Sequence, residues 1–481
     1  MSTDRRILIV AFDGLRPDMV SADLTPNLVR MMATGVGFAN SRSCFPTETR
    51  VNQASLITGC LPRRHGIVAN RFLDLNATAD AVIDSGDFQA LTRADAALNG
   101  NLIEVPTLGE ILHGVGRSFA VAGSGTAGGN CVLHRKAGDF GHLNISLHGA
   151  DSSTTPDLLA RMIDALGPIP ADEMPNCGRI TWLTEAYMTW IVPQLDPDVC
   201  LLWYSDPDTT FHFRGIGSDA STAAIRHADA QFGRILDWRD ATGQAESLQI
   251  VALSDHGHVT VRGAPLDMPA QLSAAGFDVA DRPNGDGAAV IVRGSCGGIY
   301  LDDRTPEAEI VAWLQAQDWC GPLFTRRPHD GAFDLAHAGV DHDRSADIVF
   351  ITRSGVDPVP GHPPGWCLHD LPKIPEGGSL HGGLTPFETN NMLAFSGSAF
   401  ASRKAVATPA GIVDVAPTLL HLLDIDPPSP MDGRVLHEAF GRADFAASEQ
   451  THQADTGNGY AQVLNTATVG GVPYLMSGRR L

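Results

Sequence analysis

An α/β fold with a mostly parallel central sheet and flanking helices is what this 481-residue chain predicts, on three observations. The runs Arg6–Phe12, Val199–Tyr204 and Leu248–Leu253 are apolar almost throughout, as strands buried on both faces are. Segments with helical periodicity separate them, which indicates βαβ units. Each run also ends on a polar cluster that holds an aspartate: Asp13, Asp208 and Asp255. In such sheets ligands collect at the carboxyl ends of the strands, so the three acids are expected on one edge.

The elements follow in chain order. Arg6–Phe12 ends at Asp13-Gly14, and Pro26–Thr34 reads as a helix with Leu28, Met31 and Met32 on one face and Gly35 at its stop. Residues 37–41 read as a short strand that leads through a turn at Pro46 to a helix around 54–57, closed by Thr58-Gly59. Residues 72–101 are polar and weakly patterned and read as a surface excursion. A helix is expected at 107–114 and a strand at 118–122. The strand is followed by the loop GSGTAGGN, which lacks the spacing of the common nucleotide-binding fingerprints. Helices at 158–166 and 180–192 precede the strand Val199–Tyr204, and a helix at 222–237 precedes Leu248–Leu253. Beyond about residue 267 the chain turns rich in Pro and Gly, with short strands at 288–292, 298–301 and 347–352 and a helix at 306–317. This reads as an inserted α+β cap. An apolar strand returns at 393–396 and a helix at 412–423, whereas the last forty residues or so lack clear periodicity. The expected organisation is a core of 1–266 with 376–440, a cap of 267–375, and a tail of 441–481 that packs on the core or mediates assembly.

The formal charge of −21 argues against a nucleic-acid polymer or an anionic membrane as partner. A protein this acidic that handles an anion needs local positive charge, which bound divalent metal supplies. Eight scattered cysteines without paired spacing fit reduced thiols in a cytoplasmic protein. The first apolar run is too short for a secretory h-region or a membrane span.

The acids and imidazoles at the strand ends, Asp13, Asp208, His212, Asp255 and His256, together with His381 in GSLHGG, form a ligand set suited to zinc or a related divalent ion. Four such groups suffice for one ion; six with a hydroxyl suggest two. The bland readings are a helix cap at Asp208, a turn at SDHG and a loop histidine at 381, and their joint placement weighs against all three. In the stretch SRSCFPTETRVNQASLITGCLPRRHGIVAN, a hydroxyl of Thr47 or Thr49 sits at a strand-to-helix turn where negative charge is favoured. The alternative is that one of them merely caps the helix.

These residues resemble the alkaline phosphatase superfamily, and within it the nucleotide pyrophosphatase/phosphodiesterase branch. The matching motifs are the strand-DG at Asp13, TPNLVRMMATGVGF, PTETRVN…TGCLPRRHGIVAN, PDTTFH, SDHG, HGG and IVDVAPTLLHLLDI…MDGRVL. They span about residues 5–265 and 376–436 and leave the cap uncovered. The resemblance implies an alkaline-phosphatase-like core, with one metal held by Asp208, His212 and His381 and a second held by Asp13, Asp255, His256 and the nucleophile. Counting back from Thr58-Gly59, and again from Asn70, puts the nucleophile at Thr49, with Thr47 as runner-up and Cys44 too far upstream. Asn70 matches the side-chain amide that helps hold a phosphoryl oxygen. The implied reaction is attack of Thr49 on phosphorus, followed by hydrolysis of the phosphothreonine by water.

Where the pattern departs, at Arg50, Phe211 and Arg214, substrate contacts are expected, with packing behind the site the alternative. Arg135-Lys136 reads as an exposed basic pair, with an anion anchor the alternative. His258 is expected behind the ligands and not among them. The expectation is a two-metal hydrolase of small phosphodiesters, zinc being favoured by the mixed N/O donors, with Mn or Fe also fitting. The nearest alternative is a phosphonate hydrolase on the same site; a phosphomonoesterase and a non-catalytic metal scaffold are less supported. A homo-oligomer is left open.

Overall fold

The computed structural model describes residues 5–78, 82–280, 289–302, 306–457 and 459–481. Nine strands make the central sheet: β1 (Arg6–Phe12), β2 (Val36–Arg42), β3 (Phe119–Gly123), β4 (Leu143–Ser146), β5 (Val199–Tyr204), β6 (Leu248–Leu253), β7 (Asn390–Ser396), β8 (Lys404–Val406) and β9 (Ala410–Gly411). Their spatial order is β8-β2-β7-β6-β1-β5-β3-β4, with β9 also on β2. Only β7 runs against the rest, antiparallel to both β6 and β2. The register aligns Phe12 with Tyr204 and Ala11 with Leu253, so β1, β5 and β6 end level and deliver their following residues to one edge. Because β7 is reversed, it starts at the edge where its neighbours finish. The segment that leads into it, with His381, therefore lies at the same edge.

Alternate side chains of the strands feed two apolar layers. Ile7, Ile9, Leu201, Trp203, Val251 and Leu253 face helix α2 (Thr49–Thr58) and its neighbours on one side. Leu8, Val10, Leu202, Tyr204 and Ile250 face α1 (Pro26–Thr34) and the long α4 (Asp219–Ala241) on the other. The short α3 (Asp208–Arg214) starts just past β5.

Three parts of the chain depart from the sequence reading. The excursion at 72–101 contributes Phe72, Ile83, Leu91 and Ala94 to the core and contains a helix, Phe88–Ala97, capped by Asp87 through the amides of Gln89 and Ala90. The loop GSGTAGGN folds as a helix from Ala127, capped by Thr126. Gly128 is needed there for packing, since a Cβ would lie 2.2 Å from the Ser85 carbonyl oxygen. The tail is a three-stranded antiparallel sheet, Ala447–Asp455, Ala461–Val469 and Val472–Arg480, packed on the rest through Leu464, Ala467 and Val469. Its alternation of small apolar residues with Thr, Gln and Asn is a weak strand signal.

Residues 279–352 form a separate six-stranded sheet around its own apolar cluster of Leu272, Ile299, Ile310, Leu314 and Phe350, with the helix Glu307–Ala316. The expected strand at 288–292 is seen as Ala289–Val292; position 288 lies outside the described residues. Arg344 pins this unit to the core. Its guanidinium meets Asp74 at 2.6 Å and donates to the carbonyls of Gly66 and Leu102, with both charged side chains 5% exposed. All eight cysteines are free. Among the described residues no helix is long and apolar enough to cross a membrane.

Candidate active site

Asp13, Thr49, Asp208, His212, Asp255, His256 and His381 converge at the carboxyl edge of β1, β5 and β6. Each is oriented by a group behind it. The Trp203 indole donates to Asp13 Oδ2 at 2.8 Å and the Gly14 amide donates to Asp255 Oδ1 at 3.1 Å. In each carboxylate the other oxygen, Asp13 Oδ1 and Asp255 Oδ2, is buried without a hydrogen-bond partner among the described residues. Gly14 has φ +73°, and a Cβ there would meet His258 Nε2 at 2.8 Å, so the turn after β1 admits only glycine without displacement. At the start of α3, Asp206 accepts from the amide and hydroxyl of Thr210, which fixes the helix end that presents Asp208.

The imidazoles share one arrangement. His212 Nδ1–H donates to Ser379 O at 2.9 Å, His381 Nδ1–H to Thr47 O at 2.7 Å and His256 Nδ1–H to Gly257 O at 3.2 Å. A backbone carbonyl can only accept, so all three rings turn Nε2 toward the carboxylates. His212 Nε2 lies 3.3 Å and His381 Nε2 3.5 Å from Asp208 Oδ1. His256 Nε2 lies 3.1 Å from Asp255 Oδ2 and 3.6 Å from Asp13 Oδ1. A ring lone pair facing a carboxylate needs positive charge between them, and a proton or a metal ion supplies it.

The electrostatics agree. Burial and the neighbouring Asp255 and Asp208 carboxylates push the Asp13 carboxyl well above the usual range. Burial also works against ionised Asp208, but His212 and His258 outweigh it and hold that carboxyl well below its usual range. His256 is raised by Asp255 against the cost of its own burial. Asp208, His212, His258 and His381 can offer donor atoms all within 4.8 Å of one another, and Asp13, Asp208 and His256 can do the same. Orphaned carboxylate oxygens beside inward-facing Nε2 atoms fit divalent cations.

Thr49 is the first residue of α2, and its hydroxyl does not cap the helix. It lies 3.1 Å from His256 Nε2, and since that nitrogen is the acceptor the hydroxyl donates. The Thr47 hydroxyl is occupied otherwise, accepting from Gly382 N and donating to Gly383 O, each at 2.9 Å. Cys44 is buried and its thiol pushed up to about 12 by burial. Asn70 is held on three sides. Its amide oxygen accepts from Arg50 N at 3.1 Å, its N–H is bound by Glu48 Oε2, and its carbonyl accepts from Ser85 N and Oγ. The side-chain NH2 is the remaining donor, and it meets no acceptor among the described residues.

A family model described as type I phosphodiesterase / nucleotide pyrophosphatase matches residues 7–365, most of the chain, and runs through the inserted unit. The chain belongs to this family. It is 38% identical over 73 residues to bis(5'-adenosyl)-triphosphatase enpp4 of Xenopus laevis, a match covering 15% of this chain and 16% of that protein. It is 24% identical over 264 residues to ectonucleotide pyrophosphatase/phosphodiesterase family member 7 of Mus musculus, covering 55% and 52%. The matches thus span about half or less of these relatives' length. Murine ENPP5 has a similar fold, with TM-score 0.62 and 18% identity over 89% of this chain and 97% of that one. The structure of an inactive threonine-to-alanine variant of that protein with AMP superposes equally well.

Within this phosphodiesterase-family site one expectation needs correction. Phe211 is fully buried and stands edge-on to the His258 ring at 5.3 Å, so it packs beneath the site and offers a substrate nothing. Arg135 and Lys136 pair with Asp95 and Glu110, which disposes of the alternative of an anion anchor there. His258 has Nε2 2.7 Å from Asp208 Oδ1 and Nδ1 3.1 Å from Ser379 Oγ. Arg214 is exposed near the rim, while Arg50 is half-buried with a buried Nε that lacks a partner among the described residues. Sequence reasoning did not assign Glu48 and Asn52 the positioning they perform. Asn52 Nδ2 donates to the carbonyls of Cys44, Pro46 and Glu48 and so builds the turn that presents Thr49. An Asn three residues into a helix gives no separate signal in sequence.

Proposed function

We propose that the chain is a hydrolase of small phosphodiesters, nucleotide-like ones among them, that works through a covalent phosphothreonine at Thr49 with two divalent ions. The observation that carries this reading is the Thr49 hydroxyl set 3.1 Å from His256 Nε2 in the same buried group as three carboxylates and three inward-facing imidazoles. One ion would be held by Asp208, His212 and His381, the other by Asp13, Asp255, His256 and Thr49, and the mixed N/O donors favour zinc. When bound, the ions supply Lewis-acid charge that lowers the pKa of a coordinated oxygen and offsets the negative charge of the transition state.

The chain's own groups do the rest. Helix α2 begins at Thr49 and directs its amide dipoles at the incoming phosphoryl group. Asn70 presents its NH2 to an equatorial phosphoryl oxygen, where charge builds as Thr49 attacks. Attack forms the Thr49 Oγ–P bond and breaks the P–O bond to the leaving alcohol. Water then cleaves the Oγ–P bond and restores the hydroxyl. His258 donates from Nε2 to Asp208 Oδ1 and orients that carboxylate. The AMP complex of the inactive threonine-to-alanine variant of murine ENPP5 supports a threonine in this role. The free cysteines fit a reducing, cytoplasmic setting.

The test is a comparison of substrates under zinc, manganese and iron: bis(p-nitrophenyl) phosphate, an adenosine pyrophosphate, a phosphonate monoester, phosphonoacetate and a monoester. Diesters turned over faster than the others, with activity lost in Thr49→Ala, are expected. Preferential C–P cleavage would move the assignment to a phosphonate hydrolase.

A further inference from the structure

A second polar cavity, of about 290 Å³, lies between the C-terminal three-stranded sheet and the core, at the end of β2. Arg42 lines its floor, Arg63, His337 and His452 stand around it, and Thr466 and Tyr474 add hydroxyls to the wall. Among the described residues no aspartate or glutamate lines it, in a chain of net charge −21. The floor is the decisive part. Arg42 is 8% exposed, and its guanidinium is only partly used: one terminal nitrogen donates to Asn40 Oδ1 at 2.6 Å and Nε faces the Met476 sulfur at 3.4 Å. The other terminal nitrogen is buried with no partner among the described residues. Leaving a buried donor unpaired is costly, more so when it is charged, so an occupant that accepts from it is favoured. Burial without a carboxylate also pulls the Arg42 guanidinium down to about 10.

The nearby acids are already engaged. Asp414 accepts from the Tyr474 hydroxyl and the amides of Gly411 and Arg434, and Asp432 pairs with Arg63 at 2.6 Å from outside the cavity. Arg63, 45% exposed, and the exposed His337 form a mouth that lets an ion enter. A planar guanidinium with one unpaired terminal nitrogen, a second arginine and two imidazoles form a donor set matched to a tetrahedral oxyanion.

We infer that this cavity is a second anion site, separate from the strand-end acids, that binds inorganic phosphate or the terminal phosphate of a monoester on Arg42. The inference is independent of the catalytic reading. Calorimetric titration of the metal-loaded full chain with inorganic phosphate, and separately with a phosphomonoester, tests it. Two classes of site are expected in the wild-type protein. In Arg42→Gln the Arg42 site should weaken at least about tenfold, the loss of one charge-assisted pair. Phosphodiester turnover in phosphate-free buffer should stay unchanged. Binding of inorganic phosphate alone identifies the free ion as ligand, and binding of both identifies the monoester's phosphate. Should Arg42→Gln fail to fold, Arg63→Gln at the exposed mouth must weaken the same site. A wild-type protein with no site that weakens in Arg42→Gln or Arg63→Gln overturns the inference, whether or not the strand-end acids bind phosphate as well.

Discussion

Asn70 offers the sharpest functional perturbation because its orientation is fixed without reference to any substrate. The Arg50 amide can only donate, so the Asn70 side-chain oxygen must face it at 3.1 Å and the NH2 must face the site. Asn70→Ala removes that NH2. Losing one preorganised donor to a developing oxyanion costs about 10²–10³ in turnover, or roughly 2.7–4 kcal/mol. Asn70→Asp keeps the acceptor for Arg50 N but puts a carboxylate oxygen in place of the donor. It should therefore lose at least as much as the alanine variant, although it is closer in shape. Both changes should lower kcat more than they raise KM, since the charge they meet develops only in the transition state. The assay is steady-state hydrolysis of bis(p-nitrophenyl) phosphate at saturating metal, with urea unfolding alongside. Asn70→Ala also strips the Arg50 amide of its acceptor, so a stability loss of about 1–3 kcal/mol is expected and must be separated from the kinetic effect. If both variants keep kcat within about threefold of wild type while folded, Asn70 does not meet the phosphoryl oxygen and the reasoning fails.

Thr49→Ala should abolish turnover, whereas Thr47→Val, which loses only the bonds to Gly382 and Gly383, should cost about 1–3 kcal/mol of stability and retain the phosphorylated intermediate on acid quench. Arg344→Met leaves Asp74 buried and unpaired, and chemical denaturation should read a loss of about 3–5 kcal/mol. Burial holds His65 and His134 at about 3, far below their ordinary 6.5. Their unfolded forms bind protons first, so stability declines as pH drops below the unfolded value. At about pH 5 each should have lost about 2 kcal/mol, and His65→Gln should flatten the denaturation midpoint between pH 7 and 5.

Much of the candidate site was legible because its acids follow strands whose apolar runs are unmistakable. Asp13, Asp208 and Asp255 could be placed on one edge from the ends of β1, β5 and β6 alone, and the register bears out their common level. His381 was harder. Its place depends on the reversal of β7, a long-range choice that periodicity does not encode. Phe211 was misplaced because a helix this short has no visible face: His212 turns to the site and Phe211 to the core. The tail sheet was missed because Thr, Gln and Asn alternate there with small apolar residues, and Gln462 is itself buried, donating to the Leu323 and Gly331 carbonyls. The cavity over Arg42 was invisible for the same reason, being closed by that unread sheet.

Anomalous scattering from crystals of the metal-loaded protein tests the central claim most directly. Two peaks about 3.5–4 Å apart are predicted, one among Asp208, His212 and His381 and the other among Asp13, Asp255, His256 and the Thr49 hydroxyl. A single peak, or peaks away from the Thr49 oxygen, would contradict the account.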